Sequence, residues 1–112
     1  MAKLETSLNG NFDEILNQIE KGIKSGSFSA SLEDGSDFRA NDVRCAVRVF
    51  ERYSYLGSNR VSLNITMFQH QDGPIQLSAI TSGGSEAVFF KINTIGEEAF
   101  LDCLKDVINK LD

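Results

Sequence analysis

IQLSAITSGGSEAVFFKINT, residues 75–94, is the stretch on which the reading of the fold turns. Two alternating runs meet at Gly83 and Gly84, and a two-residue primed turn needs positive φ, where glycine alone is unstrained. The stretch therefore predicts a β-hairpin. With the glycines as its turn, Ala79 stands opposite Val88, Leu77 opposite Phe90 and Ile75 opposite Ile92, placing these apolar residues on one face. Ile80 with Ala87, Ser78 with Phe89 and Gln76 with Lys91 share the other face. A one-residue slip would turn Val88, Phe90 and Ile92 to the wrong side, so pattern and turn agree.

Outward from the hairpin, Thr94 and Glu97 form a T-x-x-E capping box ahead of the helical stripe Phe100, Leu101, Leu104, Val107, Ile108 and Leu111. Upstream, Val61, Leu63, Ile65 and Met67 alternate with polar residues until Asp72, Gly73 and Pro74 break the run. A three-residue turn over Gln71, Asp72 and Gly73, with Gly73 left-handed, sets Met67 opposite Leu77 and Ile65 opposite Ala79. Before it, Val43, Cys45, Val47 and Val49 alternate with Arg44, Ala46, Arg48 and Phe50, and the apolar set is read as the core side.

Residues 34–42 have the composition of a long polar loop, preceded by a short strand in which Phe28, Ala30 and Leu32 alternate with serines. Phe12, Ile15, Leu16, Ile19 and Ile23 recur at helical spacing, with Asn11 as cap and Ser25-Gly26 as the stop. Leu4, Thr6 and Leu8 suggest a first short strand. The expected fold is α+β: a single domain over residues 1–112, with an antiparallel meander of about five or six strands and an N-terminal and a C-terminal helix packed on one face.

Composition narrows the function classes. The chain has 112 residues, 41% hydrophobic and 24% charged, which suits one core. A formal net charge of -5 argues against a protein that coats nucleic acid, because such binding is mostly phosphate neutralisation. No run reaches the length a membrane helix needs and no apolar leader opens the chain, so the expectation is a cytoplasmic protein without a membrane partner. Cys45 and Cys103, with no C-x-x-C and no Cys/His cluster, are expected as free thiols, and no cofactor is implied.

The run AITSGGSEAVFFKINTIGEEAFLDCL, residues 79–104, resembles the C-terminal signature of a family of small uncharacterised bacterial proteins. That family carries no assigned activity, so the resemblance implies no catalytic residue. The order strand, helix, meander, long helix is also similar to helix-grip domains, which implies an apolar ligand held between sheet and helices.

No catalytic constellation emerges. His70, the sole histidine, has no G-x-S-x-G elbow with it and reads as a surface turn residue. Asp34, Asp37 and Asp42 lack the D-x-D-x-D-G spacing and distant Glu of a calcium loop. Cys103, near Glu98, Asp102 and Asp106, is not activated as a nucleophile. The chain is therefore read as a non-enzyme.

One surface stands out. On the expected outer sheet face Arg44, Arg48 and Arg52 line one strand, and Phe50, Phe68, Ile80, Phe89 and Lys91 share that side. Aromatic and arginine residues are favoured in interfaces, so a homodimer or a protein partner is the expectation. The alternative, following the helix-grip likeness, is a small apolar ligand lined by Leu63, Ile65, Leu77, Phe90, Phe100 and Leu104.

Overall fold

A computed structural model describes residues 1–27, 29–53, 60–83 and 90–111, with side chains described from residue 96 onward in the last segment. Its elements run β1 (Ala2–Leu8), α1 (Phe12–Gly26), β2 (Ser31–Ala40), β3 (Val43–Tyr53), β4 (Arg60–His70), β5 (Ile75–Gly83) and α2 (Phe90–Asn109). One five-stranded antiparallel sheet has the order β1-β5-β4-β3-β2. The fold is α+β, with both helices on one face: α2 lies over β1, β5 and β4, and α1 reaches towards β2 beside it.

The helix α1 follows its sequence. The Asn11 side chain accepts a hydrogen bond from the Glu14 amide at 3.0 Å, satisfying one orphan donor of the first turn. Phe12, Ile15, Leu16, Ile19 and Ile23 are buried, as their spacing requires. The β4–β5 register is also the expected one, with Met67 opposite Leu77 and Ile65 opposite Ala79. The left-handed residue of the turn, however, is Gln71 (φ 55°) rather than Gly73.

Three expectations are corrected. Residues 90–94 are helical, so Leu77–Phe90 and Ile75–Ile92 are not strand pairs and Thr94 lies inside α2 instead of capping it. The free side of β5 is taken by β1, with Leu77 opposite Thr6 and Ala79 opposite Leu4. Gly83 ends β5 opposite Val61, and residues 84–89, with the rest of the expected turn and Val88 and Phe89, lie outside the described residues.

Secondly, most of the stretch read as a polar loop is β2, which forms an edge hairpin with β3 through Asn41 (φ 53°) and Asp42. A bulge between Leu32 and Asp34 takes up Glu33. Gly35 sits opposite Arg48, and a Cβ there would come within 2.9 Å of the Arg48 Cδ and 3.0 Å of the Val47 carbonyl oxygen. The glycine makes room for the arginine, as strand glycines do where another group approaches closely.

The third correction concerns β3, whose two faces are exchanged. Phe50 is fully buried, Ala46 is 1% exposed, and both belong to the same core as Leu63, Ile65, Met67, Leu77 and Ala79. Register enforces this, since Phe50 pairs with Leu63 and Ala46 with Met67, and directly opposed residues share a face. Val43, Cys45, Val47 and Val49 therefore look outward, half-buried by their neighbours.

The helices meet at Gly22. A Cβ on it would lie 2.6 Å from one methyl of Val107 and 2.8 Å from the other. Gly22→Ala should therefore destabilise the fold by about 1–2 kcal/mol, the overpacking penalty outweighing the gain in helix propensity. In a Val107→Ala background the same change should stabilise, because only the propensity term is left. Chemical denaturation of the four proteins of this cycle checks the change of sign.

Candidate functional site

The arginines expected on the outer face stand beneath α1. The Arg44 guanidinium stacks 4.5 Å from the Phe12 ring centroid, and its Nη1 lies 2.6 Å from the Asp13 carboxylate. Arg48 reaches Glu20 at 3.3 Å and Asp37 at 3.1 Å, and its Nη1 donates to the carbonyl oxygens of Val47 at 2.8 Å and Ser36 at 3.2 Å. Burial works against the Arg48 charge, but Asp37 and Glu20 more than restore it, and its pKa is raised. Arg52 stacks 4.5 Å from the Phe100 ring centroid and donates to the Ser27 hydroxyl, at the C-terminal cap of α1.

Burial lowers the Arg52 pKa. The negative end of the α1 dipole is a counter-charge suited to its position. These contacts explain why Arg44, Arg48 and Arg52 are interior. Each carries its stem through apolar surface and its charge to an acid, a ring or a helix end. With Phe50 in the core, four of the eight residues expected on the interaction face belong to the other side of the sheet. Phe89 lies outside the described residues, and Lys91 is in α2 with its side chain undescribed. Phe68 and Ile80 are on the outer face, 42% and 38% exposed.

What surrounds Phe68 and Ile80 is mixed: Phe68 stands between Cys45 and Gln76, and Ile80 between Asn64 and Lys3. The register aligns Phe38, Cys45, Phe68, Gln76 and Ser7 in one row across the sheet. The next rows are Ser36, Val47, Thr66, Ser78 and Glu5, then Asp34, Val49, Asn64, Ile80 and Lys3. Phe38 is 63% exposed and Tyr53, further along β3, 60% exposed. The sequence reading missed Phe38 by placing it in a loop, and missed Val43, Cys45, Val47, Val49 and Tyr53 by exchanging the faces of β3. Cys45, expected on the core side, lies on this outer face, and neither it nor Cys103 is in a disulfide.

The expected ligand-lining residues Leu63, Ile65, Leu77, Phe100 and Leu104 are packed into the core, and the side chain of Phe90 is undescribed. Three surface grooves of about 380, 220 and 330 Å³ are lined by other residues. His70 is an exposed strand-end residue whose Nε2 lies 3.3 Å from the Asp42 carboxylate. Asp34, Asp37 and Asp42 are separately engaged, by the Gly35 amide, by Arg48 and by Gln71 respectively. The Cys103 thiol is pushed up in pKa by burial, with Arg52 opposing and Asp106 adding to the shift. Among the described residues no helix is long and apolar enough to cross a membrane.

No curated protein and no solved structure matches the chain. A family model covers residues 1–112, its whole length. The protein thus belongs to DUF6054, a family of unknown function.

Proposed function

We propose that the protein is a non-enzymatic interaction module that self-associates through the outer face of its sheet. The observation that carries this reading is the apolar band on that face: Val43, Cys45, Val47 and Val49 along β3, with the exposed Phe38 and Phe68 on either side of Cys45. The second face of a two-layer fold is ordinarily polar, and an apolar band of this kind marks a contact surface. Charge lies at its margins, on Asp34, Glu51, Lys3 and Glu5, which is the core-and-rim distribution of an interface.

The area suits a second copy. The outer face of four strands, each about 10 residues long, amounts to on the order of 700 Å² at ordinary strand spacing and rise. A standard interface takes about 800 Å² per partner. Two such faces stack at about 10 Å as in a β-sandwich, with Phe38 and Phe68 of each copy interdigitating over the valines of the other.

Sedimentation velocity tests this. The wild-type protein should sediment as a dimer at tens of micromolar, and Phe68→Asp as a monomer with an unchanged far-UV spectrum, since Phe68 is not part of the buried core. A wild-type monomer throughout that range would overturn the reading.

A further inference from the structure

Past the N-terminus of α1 the sheet runs on to its two tight turns. There Arg39 and Arg44 stand directly opposite each other on β2 and β3, with Gln69 next in the row on β4. These three, with Asn41 and Gln71 from the turns, border a notch of about 220 Å³. Like charges directly opposed across a strand pair are destabilising unless a counter-charge lies between them. The protein's own acids meet that need in part. Asp13 lies against Nη1 of Arg44, yet the buried Nε of Arg44 has no acceptor, and Arg39 makes no ion pair among the described residues.

Asp42 also borders the notch, but its Oδ2 accepts from the Gln71 side chain at 2.8 Å and faces His70 at 3.3 Å. Gln71 adopts a left-handed backbone (φ 55°), and its amide donates to the Asp42 carbonyl oxygen at 2.7 Å. The two turns are thus tied together, and the donors of Arg39 and Asn41, with Nη2 of Arg44, remain for a guest.

We propose that this notch binds a small oxyanion, a carboxylate or phosphate group, between Arg39 and Arg44. The planar fork of Arg39 suits such a group, which it can grip through two parallel hydrogen bonds, and Arg44 adds the Nη2 that Asp13 leaves free. Because Asp13 already pairs with Arg44 and the Asp42 carboxylate borders the notch, binding is weak, on the order of millimolar. Asp13 competes with the guest for Arg44.

The test is an NMR titration of the ¹⁵N-labelled protein with inorganic phosphate, and separately with acetate, at constant ionic strength. Saturable shifts should be confined to the signals of Arg39, Asn41, Arg44 and Gln69. Arg39→Ala should weaken binding at least tenfold without altering the rest of the spectrum, and Asp13→Asn should tighten it several-fold by freeing Arg44. Saturation by phosphate alone assigns a phosphate group, and saturation by both anions a carboxylate-tolerant site. Shifts that grow linearly without saturation, that persist unchanged in Arg39→Ala, or that weaken in Asp13→Asn overturn the proposal.

Discussion

Phe50→Ala should cost about 3–5 kcal/mol of folding stability, the range for emptying a buried aromatic site. Phe50 has no solvent exposure and stands between Leu32 and Leu63 on the helix-facing side, so its removal leaves a cavity bounded on both sides by neighbouring strands. Domains of this size have total stabilities of about 5–15 kcal/mol. At an ordinary urea dependence of about 1–3 kcal/mol per molar, the midpoint should fall by roughly 2 M. Phe68→Ala is the matched control, since it removes the same side chain from the outer face. At low micromolar concentration it should cost about 0.5 kcal/mol, as surface changes do. The pair of measurements reports which face of β3 is inside. Equal losses, or the larger loss at Phe68, would place the core on the other side of the sheet.

The misreading of that face has a physical cause. Along β3 the odd positions from 43 to 49 are valines and a cysteine, and the even ones carry three arginines, so hydrophobic patterning alone assigns the valines to the core. The rule fails because a helix lies over the even face with partners for every charge. Asp13 and Glu20 are seven residues apart, two helical turns, and therefore lie along one side of α1, and Ser27, seven further on, caps its end. Arg44, Arg48 and Arg52 are four apart and lie along one side of β3. Fourteen helical residues span about 21 Å and eight strand residues about 27 Å. Long arginine stems take up the difference. The two spacings were legible in the sequence, but as a pair only, and neither alone reverses the assignment.

Elsewhere legibility followed the length and regularity of the pattern. The stripe of α1 and the alternation of β4 are long, unbroken and capped or bounded by recognisable turns, and both were read correctly. The second arm of the expected hairpin rested on alternation over a few residues, a signal that a helix segment can also produce. Its described part, residues 90–94, is helical, and β1, the weakest strand in the sequence, occupies the place beside β5. The candidate face was half legible for the same reason. Phe68 and Ile80 sit on strands whose parity was clear, whereas Phe38 lay in the stretch whose Asp, Gly and Ser residues suggested a loop.

The charge ladder beneath α1 carries the second large effect. Arg48→Ala is expected to cost about 1–3 kcal/mol, because it strands Glu20 against the sheet and leaves two carbonyl contacts unmade. The side chain of Arg48 is 13% exposed and that of Glu20 24%, so desolvation matters, while Asp37 at 51% is already well hydrated and adds little. Arg48→Met separates packing from charge, since it keeps most of the stem. If charge dominates, Arg48→Met should lose nearly as much as Arg48→Ala, and adding Glu20→Gln should recover about 1 kcal/mol as a coupling energy. Arg48→Lys should recover less than half the loss. One ammonium cannot reach Glu20, Asp37 and the Val47 and Ser36 carbonyls together, whereas the fork of a guanidinium does. Thermal unfolding of the four single variants and the double variant resolves these terms. Additive losses at Arg48 and Glu20 would mean that α1 is held by its apolar stripe alone, and that the matched spacing of acids and arginines contributes no stability.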